Sequence, residues 1–372
     1  MAMSPRRMAR MTRAVGAGLL EAAVATLARR RPRAALPEAP GAIFVLRNND
    51  VGDVLAATPL FDALRRRFPS ARIAAGVGPW AADVLRGNPH VSEVLPVAAP
   101  WFNKYAAAAG PLGRLAYVRR SPEVAEIARR RFDVGIDVVG TAWGSLLLLQ
   151  AGIPCRLGVR GYDGGHSAAQ ACVSYDPGES VARAALRFAE LLGAADLPEA
   201  RPQVFLSEEE RRAGEGLWAG AGKRRVVVAP GGGLAVKLWP RERFAEVIRR
   251  LGDRGGVETA VVGGPLERGL AEELAAGVPG ARALPGLTLR ETFALVAACD
   301  LVICNSSMLL HAAAAFRRPT VAVLGPSFPS ARRHQAQWGY PGCVSLGREA
   351  GAREELATPE EALAAARKVA GW

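Results

Sequence analysis

Three stretches of this sequence have the residue types and spacing to do chemistry. The first is the turn Arg47-Asn48-Asn49-Asp50-Val51-Gly52-Asp53, between the apolar run Ile43–Leu46 and a helical stretch that ends in Arg65-Arg66-Arg67. A carboxylate fixed in such a turn can take a proton from a hydroxyl; Asp53 is the first candidate and Asp50 the competitor. Asp53 can equally be only a helix cap, accepting from free N–H groups. The second stretch is APGGGLAVKLWP, Ala229 to Pro240. Its glycines let backbone N–H groups approach a diphosphate, and Lys237 supplies a point charge. With Val236 before the lysine and Leu238 after it, this is not a Walker loop. The third stretch is Leu301 to His311, a strand running directly into a helix whose free N–H groups around Ser306–Leu309 can hold phosphate oxygens. Between the last two, Val262-Gly263-Gly264-Pro265-Leu266-Glu267 presents Glu267 at a helix start, to bond a ribose or to cap.

Short apolar runs alternating with helical stretches position these residues. Ile43–Leu46, Arg72–Val77, Glu93–Val97 and Phe132–Val139 are expected as strands of one parallel sheet. Leu192 to Pro202 reads as a linker, after which Arg225–Ala229, Thr259–Val262, Arg282–Leu284, Leu301–Cys304 and Thr320–Leu324 repeat the pattern. The expected organisation is α/β, with two sheets facing a cleft. Turns at the carboxyl edge of such sheets are where ligands bind. Thr58-Pro59 predicts a kink in the first helix or a second start within it. Gly76-Val77-Gly78-Pro79-Trp80-Ala81 matches a dinucleotide fingerprint in form only: it follows the second strand, and Pro79 removes a donor. Pro100 to Arg131 is irregular and basic, and includes Lys104 and Arg120. It fits a grip on an acidic substrate, or a solvated helix surface. Thr358-Pro359-Glu360-Glu361 is a capping box that opens a last helix.

The 372 residues suffice for two domains, and half of them are hydrophobic. No uninterrupted apolar run is long enough to span a bilayer; Val138 to Ile153 comes nearest and reads as core. Five cysteines with no CxxC spacing and four scattered histidines give no metal cluster and point to a reducing compartment. The formal charge is +13, of which residues 1–33 hold eight arginines against one glutamate. No nucleic-acid module accompanies it, so no nucleic-acid partner is expected. Met8, Met11, Val15 and Leu19 share one helical face and Arg6, Arg10 and Arg13 another. Residues 1–36 therefore read as a basic arm, a helix lying on an anionic membrane surface, or an export signal.

GDVLAATP, KLWP with its strand and glycines, GGPLE and ICNSSxxxH occur here in one order. In this the chain resembles family 9 glycosyltransferases, which include the ADP-heptose:lipopolysaccharide heptosyltransferases. The resemblance runs from about Ile43 to Phe328 and on to the last helix. It implies a GT-B fold of two Rossmann-like domains facing a central cleft: residues 37–195 for the acceptor and 196–372 for the nucleotide-sugar, with a return of the last helix to the first domain left open. It implies inverting, metal-independent transfer to a cell-envelope glycan or lipid-linked acceptor, with Asp53 as general base. The co-substrate is a nucleotide-diphosphate sugar such as ADP-heptose, with no other cofactor. Gly231, Gly232, Lys237, Glu267, Asn305, Ser306, Ser307 and His311 are the donor-side candidates, and Arg47, Asn49, Lys104 and Arg120 the acceptor-side ones. The expected location is the cytoplasm, peripheral on the inner face of the membrane. One departure stands out: the family's usual Asn-Asp-Ser/Thr-Gly is Asn305-Ser306-Ser307-Met308, and a left-handed Met308 would be strained. Two rivals remain: another GT-B enzyme such as a sugar-nucleotide epimerase, and a non-catalytic binding relative.

Overall fold

The computed structural model describes residues 5–372 apart from 221 and 254, with side chains from residue 16 onward. The chain divides into two units: Met1–Ala82, Asn88–Pro177 and Ala182–Ala200 form the first, and Asp83–Gly87, Gly178–Val181 and Arg201–Trp372 the second.

The first unit is built on six parallel strands: β1 (Ala42–Arg47), β2 (Arg72–Val77), β3 (Glu93–Pro96), β4 (Val134–Asp137), β5 (Cys155–Arg160) and β6 (Ala171–Ser174). The second has β7 (Arg224–Ala229), β8 (Val257–Gly263), β9 (Ala281–Pro285), β10 (Leu301–Asn305), β11 (Thr320–Val323) and β12 (Cys343–Leu346). The orders are β3-β2-β1-β4-β5-β6 and β12-β11-β10-β7-β8-β9. Each sheet grows outward from its first strand, then reverses to the other side. The reversal between β1 and β4, and again between β7 and β10, leaves a crevice at the carboxyl ends of those strands. The registers bring the paired ends together, Leu46 beside Asp137 and Cys304 beside Ala229. Every residue of β1 and of β10 is buried, as expected of strands covered on both faces.

Strands β5, β6 and β12 were not expected from the pattern. The first helix also differs from its expectation. It spans Val51–Arg67 with Asp50 at the N-cap position, so Asp53 lies inside its first turn and is not the cap residue. Pro59 neither restarts nor ends it; the buried Thr58 hydroxyl donates to Leu55 O at 2.7 Å. The apolar Ala142–Gln150 helix is core, buried from Ala142 to Leu149. No described helix is long and apolar enough to cross a membrane.

The N-terminal segment forms a helix, Pro5–Arg29. The two faces read from Met8, Met11 and Val15 and from Arg6, Arg10 and Arg13 lie outside the residues with described side chains. Further along, the helix is part of the first core: Val24 (1% exposed) and Ala28 (0%) pack in one cluster with Trp143, Leu146 and Leu147. The chain beyond is tied in as well, Ala34 N–H donating to Pro154 O at 3.2 Å. The last helix, Pro359–Ala370, buries Ala362, Leu363 and Ala366 in the core of the second unit with Val321 and Val323 of β11. It packs on its own sheet, where the sequence left a return to the first unit open.

Candidate functional site

The turn after β1 is fixed by buried side chains. Arg47, 7% exposed, points its guanidinium along the turn: Nη2 lies 3.2 Å from Asp53 Oδ1, Nε donates to Asp53 O at 3.2 Å, and Nη1 donates to Val138 O at 3.3 Å. Arg47 thus ties the turn after β1 to the turn after β4 and orients the Asp53 carboxylate, which remains 27% exposed. With its nitrogens turned inward, Arg47 positions Asp53. Asn49 is also inward-facing: Nδ2 donates to Phe102 O at 3.1 Å, and its backbone carbonyl accepts from Trp80 Nε1 at 2.8 Å. Asn48 does the same for Trp101 O at 3.0 Å. Asp50, the competing base, lies 3.8 Å from the Lys104 ammonium. Arg120 is exposed at the end of the Pro111–Arg120 helix, and no described contact joins it to this turn.

Beneath the turn sits Asp137 at the end of β4, fully buried and accepting from the N–H groups of Val139 (3.1 Å) and Thr141 (2.9 Å). Burial pushes its carboxyl up to about 6 against those bonds and the nearby Arg47 charge. A side chain at residue 144 would collide with this carboxylate, so Gly144 is required by the close approach.

The second crevice is organised around backbone. Glu267 spreads its two oxygens over two loops, Oε1 accepting from Gly232 N–H at 2.8 Å and Oε2 from Gly264 N–H at 2.7 Å. A Cβ at residue 231 would come within 2.1 Å of Glu267 Oε1, which explains why glycine stands there. Asn305, 1% exposed, is a second tie: Nδ2 donates to Pro230 O (2.6 Å) and Gly231 O (3.2 Å), while Oδ1 accepts from Trp239 N–H at 2.8 Å. It holds the glycine loop and the KLWP turn together. Lys237 is exposed, with its ammonium 5.9 Å from the centre of the Phe328 ring.

Ser306 follows β10, and its hydroxyl lies 2.8 Å from His334 Nε2; His334 Nδ1 is 2.8 Å from Ser345 Oγ. Burial, with the Lys237 charge added, pushes the His334 imidazole down to about 4. Ser307 stands at the N-cap position of the Met308–Ala315 helix without a side-chain cap bond. Met308 is not strained: among the described residues, the non-glycine ones with positive φ are Phe102, Arg131 and Arg317. His311 is buried, with Nδ1 2.8 Å from the Tyr340 hydroxyl and its ring edge-on to Trp338. Lys237, Ser306 and the Gly231–Gly232 loop therefore share one crevice, with Asn305 and His311 buried and Glu267 half-buried. Sequence reasoning missed His334, counted only among scattered histidines. It also missed the aromatic side chains Tyr162 and Tyr175, which no periodicity ties to Asp53. No group of three metal-ligating side chains occurs among the described residues.

The sequence profile of "Glycosyltransferase family 9 (heptosyltransferase)" matches residues 124–340, more than half of the chain. The chain belongs to glycosyltransferase family 9. It is 28% identical over 304 residues to lipopolysaccharide heptosyltransferase 2 of Escherichia coli, covering 77% of this chain and 83% of that protein. Among solved structures, a family 9 glycosyl transferase from Veillonella parvula superposes with a TM-score of 0.74 at 21% identity, covering 91% of this chain and 99% of that one. The E. coli ADP-heptose lipopolysaccharide heptosyltransferase II superposes with 0.67 at 23% identity, covering 88% and 98%. The fold is thus of the GT-B type, two Rossmann-like units, and the chain is a glycosyltransferase.

Proposed function

We propose that this glycosyltransferase moves a heptosyl group from ADP-heptose to a lipopolysaccharide-core acceptor, in one inverting displacement that needs no metal. The observation that carries the reading is Asp53, held by Arg47 and still partly exposed at the switch point of the first sheet. Its carboxylate takes the proton of an acceptor hydroxyl as that oxygen bonds to the anomeric carbon and the bond to the diphosphate breaks. ADP leaves with its charge offset by Lys237 and by the N–H groups of the glycine loop and the Met308–Ala315 helix start. The likeness to the E. coli lipopolysaccharide heptosyltransferase, which uses ADP-heptose, suggests the donor and acceptor classes. The test is incubation with ADP-heptose and a delipidated core oligosaccharide. Release of ADP with gain of one heptosyl residue is expected. Failure to bind any nucleotide-sugar at millimolar concentration overturns the reading. The Ser306 and Met308 replacements favour a second reading, a binding relative without turnover, which the same assay would reveal as donor binding without transfer.

The arginine-rich start of the Pro5–Arg29 helix extends the proposal to an anionic membrane surface on the cytoplasmic side, where a lipid-linked acceptor is anchored. Each basic residue near such a surface contributes ~1 kcal/mol, screened by salt. Deleting the helix would remove Val24 and Ala28 from the core, so substitution is the sounder test. Arg6, Arg7, Arg10 and Arg13 changed together to Gln should abolish sedimentation with anionic vesicles and leave transfer to a soluble acceptor intact. Undiminished sedimentation would remove the idea.

A further inference from the structure

Proton transfer by Asp53 does not account for the aromatic rings around it. Phe102 (42% exposed), Tyr162 (49%) and Tyr175 (44%) form a continuous strip, with ring centroids 6.2 Å apart for Phe102–Tyr162 and 5.0 Å for Tyr162–Tyr175. Three large rings left half-open side by side differ from scattered apolar exposure and mark a binding surface. The strip is built at the same sheet edge as the base: Tyr162 comes just after β5 and Tyr175 just after β6, both at strand carboxyl ends. Phe102 is held in left-handed backbone, φ 56°, which is strained for a bulky residue. The Asn49 amide, bonding Phe102 O, and the Asn48 amide, bonding Trp101 O, keep it there. Both asparagines belong to the Arg47–Asp53 turn, so Phe102, at one end of the strip, is fixed together with the base. The Tyr162 phenol also lies within electrostatic reach of Arg47 and Asp53.

The ligand beside this strip must offer hydroxyls to a carboxylate and a flat apolar face to aromatic rings. A pyranose ring has both, since its axial C–H groups present an apolar face while the hydroxyls project from its rim. We infer that Phe102, Tyr162 and Tyr175 form a stacking platform for a sugar ring of the acceptor, which they hold with a hydroxyl toward Asp53. This rests on the transferase reading and names how its acceptor is held. A lipid surface is the rival occupant, but it gives no reason for the strip to be built onto the turn that carries the base.

The test uses the full chain, with a delipidated lipopolysaccharide-core oligosaccharide as probe. Tyr162→Ala and Tyr175→Ala should each weaken its binding in calorimetry, and raise its KM, by roughly 2- to 10-fold, the size of one aromatic contact. The double variant should lose more. ADP affinity should stay unchanged, which also shows that the variants are folded. Tyr162→Phe and Tyr175→Phe keep the ring and should restore binding. Oligosaccharide affinity within twofold of wild type in the double alanine variant overturns the platform. If those variants lose binding only to vesicles carrying lipopolysaccharide, the strip is a membrane contact instead. Failure of the transferase reading would show separately, as wild-type protein that binds no nucleotide-sugar.

Discussion

The two units share one strand order and use the same point of it differently. In the first, the crevice between β1 and β4 is lined by charged and aromatic side chains, with Arg47 holding Asp53 and rings left open beside it. In the second, the crevice between β7 and β10 presents glycine backbone, with Glu267 and Asn305 as internal ties and Lys237 as the exposed charge. A base must be one group in one place, and an arginine fixes it. A diphosphate spreads its charge over several oxygens, and a set of N–H groups with a mobile ammonium suits it. The shared topology places a crevice at the same point of each sheet, and the residues of each turn give it a different chemistry.

Breaking the first half should have the largest effect. Asp53→Asn keeps the shape of the side chain but removes the base, and turnover should fall ~100- to 10,000-fold with ADP affinity unchanged. Steady-state kinetics beside calorimetry checks this; a variant within about threefold of wild type would move the role to Asp50. Breaking the second half should act on binding. Lys237→Ala removes a charged hydrogen bond worth ~1.5–3 kcal/mol, so ADP should bind roughly 10- to 150-fold more weakly. An unchanged ADP affinity would place the diphosphate elsewhere.

A third prediction sharpens the contrast through pH. His334 falls from its ordinary 6.5 to about 4 on folding, so it gives stability that is present above pH 6.5 and lost as pH falls toward 4. Asp137 rises from 3.8 to about 6, so it gives stability that is present below pH 3.8 and lost as pH rises toward 6. Each window is worth roughly 3 kcal/mol, with opposite sign. Denaturant midpoints at pH 4.5 and 7 should show His334→Gln losing less stability than wild type on acidification, and Asp137→Asn losing more. The same pH response in both variants would show that neither group titrates as described. The smallest effect belongs to Ser306→Asp, which should change the ranking of donor sugars in a competition assay and alter ADP affinity by less than about twofold. An unaltered ranking would detach Ser306 from the sugar.

Much of this was legible in the sequence because it is local. The turn around Asp53, the glycines after β7 and the Asn305–Ser306 turn all lie where apolar runs meet polar residues, and their strands formed as expected. Three strands were not legible. In β5, Arg156 is 2% exposed and donates from Nε to Ala168 O at 2.8 Å; a buried charged residue held by backbone carbonyls does not read as strand core. β6 and β12 are four-residue edge strands, too short to show a period. The helix start was misplaced because Asp50 and Asp53 both suit a cap, and only the backbone separates them. Gly76 and Gly78, which match the dinucleotide fingerprint in form, are packing residues: a Cβ would strike the Phe44 and Trp80 rings. What joins Tyr162, Tyr175 and Phe102 to Asp53, or His334 to Ser306, is proximity at a sheet edge, and linear spacing does not encode it.

The proposed transfer is a single displacement, with Asp53 as base and ADP as leaving group. Its most direct test is the anomeric configuration of the transferred sugar, read by NMR of the product formed from ADP-heptose and a delipidated core oligosaccharide. The account predicts a heptosyl linkage of configuration opposite to the donor's, formed by wild type and nearly absent with Asp53→Asn. A linkage of retained configuration, or one formed at an undiminished rate by Asp53→Asn, would contradict it.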